Sequence, residues 1–323
     1  METQKYIDLI KSQIDTRQPL YMLVDPLKSV WEHYPISIPS LKGMLGKEAV
    51  LAIPRADLQH TPDDCPHLVL LANGEISRSS EKTQAATSIF EYAVKYAINE
   101  ETSANRRYVC GWLQSHLDQY ALAQNLADRM LLQHNEQKRV FALYEPLRQE
   151  LIAYACHETD PDIHERWLGE VSKWIVPASN QGLLCFKTSP SDKSIVLPAQ
   201  AISSQIDTPL VANTLRVWQN MTKQPMSGLQ LQQAPLLRHR QPLPQGAAYA
   251  VYKQLHAGFR EGLRQANDLT HFAIMRLLVH PRFETSPLMQ TCIEKTIRGE
   301  QALGAQLAAI NHAHWMAMLA QLG

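Results

Sequence analysis

The chain predicts a mixed N-terminal lobe, either α/β or α+β, followed by an all-helical C-terminal lobe. Short β-branched and aromatic runs alternate with helical stripes up to about residue 187. From Thr208 onward the strand signals stop, and apolar residues recur only at helical spacing. The length, 323 residues, is long for one core and comfortable for two. The expected division is residues 1–200 and 201–323.

At the N-terminus Ile7, Ile10 and Ile14 recur among charges, the pattern of an amphipathic helix rather than an export signal. Residues 20–24 read as a buried strand closed by Asp25-Pro26. Pro35 and Pro39 mark loops, and residues 49–53 and 67–72 read as two more strands around the loop RADLQHTPDDCP. Residues 81–98 form a helix with Ile89, Tyr92, Ala93 and Tyr96 inward and Ser79 or Ser80 placed to cap it.

From Arg107 to Leu151 the pattern is strand, helix, strand, helix. Tyr108, Val109 and Trp112 give the first strand, and Leu113, Leu117, Leu122, Leu126 and Met130 one helical face. The polar break HNEQK precedes a second strand over 140–144. Trp167, Leu168, Val171 and Trp174 predict a helix over 163–175, residues 182–187 a strand, and 189–194 a polar exit loop. This order leaves parallel and mixed pairing open.

In the second lobe Asp207-Thr208-Pro209 starts a helix, with a capping side chain and a proline whose missing N–H is harmless there. Leu215, Trp218 and Met221 continue its face. Residues 224–246 hold four prolines and several glutamines, either a connector or a segment that orders on a partner. A long stripe then runs through Tyr252, Leu255, Phe259, Leu263, Ala266, Leu269, Ala273 and Leu277 until Pro281. Ser286-Pro287 opens another helix, and residues 300–322 form the last.

Chemistry is sparse. Lys plus Arg and Asp plus Glu are 31 each, so bulk charge attracts neither nucleic acid nor an anionic membrane. No apolar stretch approaches the ~18 residues of a membrane span. The five cysteines are scattered without a CxxC pair, which fits free thiols in a reducing cytoplasm. His312 and His314 fall on different faces of a helix, and His271 and His280 stand nine residues apart. His60, Cys65 and His67, with Asp63 and Asp64, offer ligands but no zinc spacing. There is no GxSxG, and Gly43 and Gly46 do not make a phosphate loop, so neither cofactor nor metal is expected. Asp25, at a strand end, is the one acid in an enzyme-like position, and a turn-capping role competes for it.

Binding features are clearer. Gly258 and Gly262 sit four apart on the long stripe. Each costs about 1 kcal/mol in a helix interior, so they permit close approach of a partner backbone or of a helix of the same lobe. Trp315, Met316 and Met318 offer soft apolar groups, for an adaptable contact surface or for the core.

Three blocks carry a family resemblance. Leu20-Tyr-Met-Leu-Val-Asp25 resembles the strand ending in Asp that begins the adaptor family of bacterial type VI secretion. Tyr108-Val-Cys-Gly-Trp-Leu-Gln-Ser115 is similar to that family's middle block, and Arg139-Val-Phe-Ala-Leu-Tyr-Glu-Pro-Leu-Arg148 to the block that follows. The resemblance covers roughly residues 18 to 155. It marks Asp25, Trp112, Tyr144, Glu145, Pro146 and Arg148 as scaffold positions. Where the family has Asp-Pro-Arg this chain has Glu145-Pro146-Leu147, with the arginine at Arg148, so the ion pairing of the block stays open.

The resemblance implies a non-enzymatic cytoplasmic chaperone that holds a secreted toxic effector and helps mount it on the VgrG spike. It implies an α/β lobe for the shared surface and a variable helical lobe that selects the effector. The runner-up is a hydrolase or transferase with a degenerate α/β site using Asp25. A third reading is a structural piece of the secretion machine itself.

Overall fold

A computed structural model describes residues 2–73, 81–100, 106–134, 136–180, 182–188, 196–223 and 243–322. The chain forms two compact units, residues 1–206 and 207–323.

The first unit opens with α1 (Glu2–Gln13), which buries Ile7 and Ile10. β1 (Pro19–Val24) is buried from Leu20 to Val24, so it reads as an unbroken apolar run rather than an alternating one. α2 (Ile38–Leu45) replaces the loop expected around Pro39. The proline sits in its first turn, and Ser37 Oγ accepts from Ser40 N at 3.3 Å. β2 (Val50–Ala52) and β3 (His67–Asn73) follow, then α3 (Glu81–Asn99). The inner face of α3 is Ile89, Phe90, Ala93, Val94 and Ala97, whereas Tyr92 is exposed. Ser79 and Ser80 lie outside the described residues.

β4 (Val109–Ser115) is buried throughout. It includes Leu113, which therefore belongs to the sheet and not to the helix after it, α4 (Gln119–Arg129). The polar break lies within a hairpin, β5 (Leu131–His134) with β6 (Gln137–Val140). A two-stranded ribbon with mostly exposed side chains tolerates such polar residues, which hid it from an apolar reading. Residues 141–145 are buried but are not a strand, because Leu143 N bonds Phe141 O and Glu145 N bonds Ala142 O.

α5 (Pro146–Thr159) and α6 (Asp162–Leu168) come next. Val171 and Trp174 then lie on β7 (Val171–Pro177), not on a helix. Their apparent helical spacing arises because a strand buried on both faces shows no period of two. β8 (Leu183–Lys187) and α7 (Ala199–Ile206) complete the unit. Residues 189–194 are outside the described set.

The sheet order is β2-β3-β1-β4-β7-β8, with every pairing antiparallel. The unit is therefore α+β. Leu20, Met22 and Val24 join Ile10, Leu41, Ile89 and Phe90 in a core beneath α1, α2 and α3. Tyr21 and Leu23 point to the opposite face. α4 is tied to the sheet by Gln119, which donates to Ala49 O at 3.1 Å and Leu68 O at 2.8 Å.

The second unit is helical: α8 (Thr208–Lys223), α9 (Ala247–Arg260), α10 (Ala266–Leu278), α11 (Pro287–Ile297), α12 (Leu303–Ala309) and α13 (His312–Leu322). The long stripe is thus two helices. Gly262, at φ +97°, turns the chain between α9 and α10. Residues 300–322 likewise divide at Ile310. Most of the Pro/Gln segment, 224–242, is outside the described residues. Thr214 and Thr270 hydrogen-bond at 3.1 Å, and Asp268 Oδ1 accepts from Leu303 N at 2.9 Å, satisfying the first turn of α12. Among the described residues, no helix is long and apolar enough to cross a membrane.

Candidate functional site

The end of β1 begins the site. Asp25 N donates to Tyr108 O at 2.8 Å, which fixes the turn after β1 against the entry to β4. Asp25 Oδ1 accepts from Leu27 N at 3.1 Å, the turn-capping contact expected of a carboxylate before proline. Its second oxygen has a different role. Oδ2 is buried without a hydrogen bond and lies 3.5 Å from Arg106 Nε. The same Nε stands 3.4 Å from Glu145 Oε1. One guanidinium nitrogen therefore faces two carboxylates.

Glu145 occupies the N-cap position of α5 without capping it through its side chain. Pro146, in the first turn, brings no N–H that needs a partner, and Glu145 turns to the arginines instead. Its Oε2 accepts from Arg148 Nε at 2.9 Å, and Arg148 Nη1 reaches Gln205 O on α7 at 2.7 Å. The displaced arginine of the third block thus pairs with Glu145, the acid at the block's own acidic position, three residues earlier at the N-cap of α5. Arg55 closes the cluster. It donates to Tyr144 Oη at 2.7 Å and pairs with Asp57 through two nitrogens, at 3.0 and 2.5 Å.

Burial governs the electrostatics. Asp25 is fully buried, and desolvation pushes its carboxyl up from 3.8 to about 6 against the lowering pull of Arg106. Burial also raises the Tyr144 hydroxyl and the Cys110 thiol, both of which feel the Asp25 charge. Arg55 loses affinity for its proton through burial, but Asp57 and Tyr144 more than restore it. Next to the cluster in sequence, the half-buried Arg107 donates to Ala97 O and Ala178 O, each at 3.1 Å.

The residues marked by the resemblance therefore separate into two groups. Asp25, Tyr144, Glu145, Pro146 and Arg148 converge at the cluster. Trp112 sits in the core, edge-on to Phe90 with ring centroids 5.9 Å apart. Arg55 and Arg106 escaped sequence reading. The one available signal was a charged residue just before or after a buried apolar run.

In the helical unit, Gly258 lies against its own neighbours. A Cβ there would come within 2.9 Å of Leu269 and 3.1 Å of Phe272 on α10, so its close approach serves packing within the unit. Gly262 forms the turn rather than a helical face. Trp315 and Met318 are buried in the unit, which removes them from a partner surface, and only Met316 of that trio is exposed. Among the described residues, no three His, Cys, Asp or Glu side chains are grouped to hold a metal ion, and all five cysteines are free thiols. Comparison of the chain with family models, curated proteins and solved structures returns no match.

Proposed function

We propose that the chain is a non-catalytic adaptor of bacterial type VI secretion, which binds a toxic effector in the cytoplasm and helps load it onto the VgrG spike. The observation that carries this reading is the convergence of the three resembling blocks. Asp25 ends the first, its backbone N–H donates to Tyr108 O at the start of the second, Arg106 stands two residues before that block, and Glu145 and Arg148 close the third. Motif residues distant in sequence form one polar cluster, as a shared structural element should. The α+β unit would carry the family surface, and the helical unit would select the effector.

Co-expression of the full chain with the products of the genes that neighbour its own, among which this reading expects a toxin and a spike protein, followed by size exclusion, tests this. A stoichiometric complex with a toxin is expected. Elution of the chain alone from every combination contradicts it. The second reading, a hydrolase or transferase with Asp25 as its acid–base group, draws on the raised proton affinity of that carboxyl. Complete burial of Asp25 weighs against contact with a substrate.

A further inference from the structure

The six-stranded sheet ends at β8, and the outer edge of that strand is open. Thr188 N donates to Ser172 O at 3.2 Å and Ala178 N to Gly182 O at 2.9 Å, and in the same register Trp174 lies opposite Phe186 and Val176 opposite Leu184. In an antiparallel ladder such bonded pairs alternate with residues whose backbone groups face outward. The N–H and C=O groups of Leu183, Cys185 and Lys187 therefore point away from β7, and no hydrogen bond from the described residues reaches them there. The opposite edge strand, β2, is only three residues long, a common way to blunt an edge.

The side chains along this edge change character from end to end. Met22, Trp112, Ile175 and Cys185 form one cross-strand row, so Leu183, Cys185 and Lys187 share the sheet face that packs against α1, α2 and α3. At one end Leu183 borders a cavity of about 330 Å³ lined by Val94, Ala97, Ile98, Trp112, Pro177 and Arg107. The Arg107 guanidinium is already engaged by Ala97 O and Ala178 O. At the other end Lys187 lies directly opposite Lys173. Lys187 is exposed and has no ion pair among the described residues, and like charges facing each other across a ladder are unfavourable.

We propose that the outer edge of β8 docks an extended peptide segment as a further antiparallel strand, with a carboxylate opposite Lys187 and an apolar side chain opposite Leu183. The pleat puts both of those side chains on the face of the cavity and the lysines. An apolar group fills the cavity beside Leu183, and the carboxylate offsets the repulsion between Lys173 and Lys187. Main-chain bonds to Leu183, Cys185 and Lys187 hold the segment, and its two side chains give selectivity. A second copy of the chain fits less well. Paired antiparallel about Cys185, it would bring its own Lys187 to the cavity and to Arg107.

The probe is a synthetic peptide of threonines alternating with glutamate, valine and leucine in that order, with a twin in which lysine replaces glutamate. Amide hydrogen exchange of the full chain, read by nuclear magnetic resonance at millimolar peptide, should slow several-fold at Leu183, Cys185 and Lys187. It should change little at Leu184 and Phe186, whose amides face β7. Lys187→Glu should weaken the acidic peptide and strengthen its lysine twin, each several-fold. Cys185→Pro, tolerated where an edge N–H faces solvent, should abolish protection by either peptide. Unchanged exchange at the three outward amides, or a preference between the peptides that Lys187→Glu does not move, overturns the proposal. Protection that grows with protein concentration in the absence of peptide assigns the edge to a second copy and overturns it as well. The charge swap decides the matter if the proline variant fails to fold. No toxin or spike protein enters the test, so its outcome is separate from the adaptor reading.

Discussion

The two units bury polar groups in different ways. The helical unit bonds several of them to near neighbours, although Glu284 Oε2 and Trp315 Nε1 carry no hydrogen bond. Thr214 meets Thr270, Asp268 takes the Leu303 amide, and Gln306 Nε2 lies within bonding distance of Cys292 O, Thr296 Oγ1 and Gln301 O. The α+β unit instead divides one guanidinium between two acids and leaves Asp25 Oδ2 without a hydrogen bond. Satisfied pairs fix a single arrangement, whereas an under-satisfied charged cluster has more than one accessible state. The cation shared by two acids therefore distinguishes the α+β cluster from these contacts of the helical unit.

The largest effect should come from the fixed side of this contrast. Phe272 is fully buried on α10, so Phe272→Ala should destabilise the helical unit by about 3–5 kcal/mol in urea unfolding. That loss should not vary between pH 4 and 7, because the one charge over the ring, the Arg276 guanidinium at 5.9 Å, stays protonated throughout.

In the α+β unit the sign reverses. The folded Asp25 carboxyl is raised, so its contribution is fully present below 3.8 and is lost as pH rises through about 6. Asp25→Asn should therefore stabilise the protein at pH 7, by up to about 3 kcal/mol, with the gain vanishing towards pH 4. His164 works in the opposite direction. Burial lowers it to about 3, so its contribution is lost as pH falls from 6.5. The difference between wild type and Asp25→Asn isolates the aspartate.

Glu145→Ala should destabilise by about 2 kcal/mol, less than a fully buried pair, because Arg106 is partly solvated. The smallest effect is expected at Met316, exposed on α13. Met316→Ser should change stability by less than about 0.5 kcal/mol. A pH-dependent Phe272→Ala, or a pH-independent Asp25→Asn, would erase the contrast between the units.

Much of this architecture was legible in the sequence where local signals agree with tertiary environment. β1, β3 and β4 show as apolar runs, and α8 and α11 announce themselves by cap and proline. Legibility failed where tertiary burial erased a period, as on β7, or where solvent on both faces made a hairpin look like a break, as at β5 and β6. It also failed where one glycine interrupts a stripe that stays apolar on either side, as at Gly262. The candidate site was half legible. Asp25, Glu145 and Arg148 stand in recognisable blocks, but their pairing through Arg106 spans 81 and 39 residues of chain, and no local pattern encodes such a partner.

The most direct measurement is a double-mutant cycle on Asp25→Asn and Glu145→Gln, read as unfolding free energy at pH 7. Two acids coupled through one arginine should give an interaction energy of about 1 kcal/mol or more. Additivity within about 0.3 kcal/mol would mean that the two carboxylates act independently, and the shared cluster would not exist in solution.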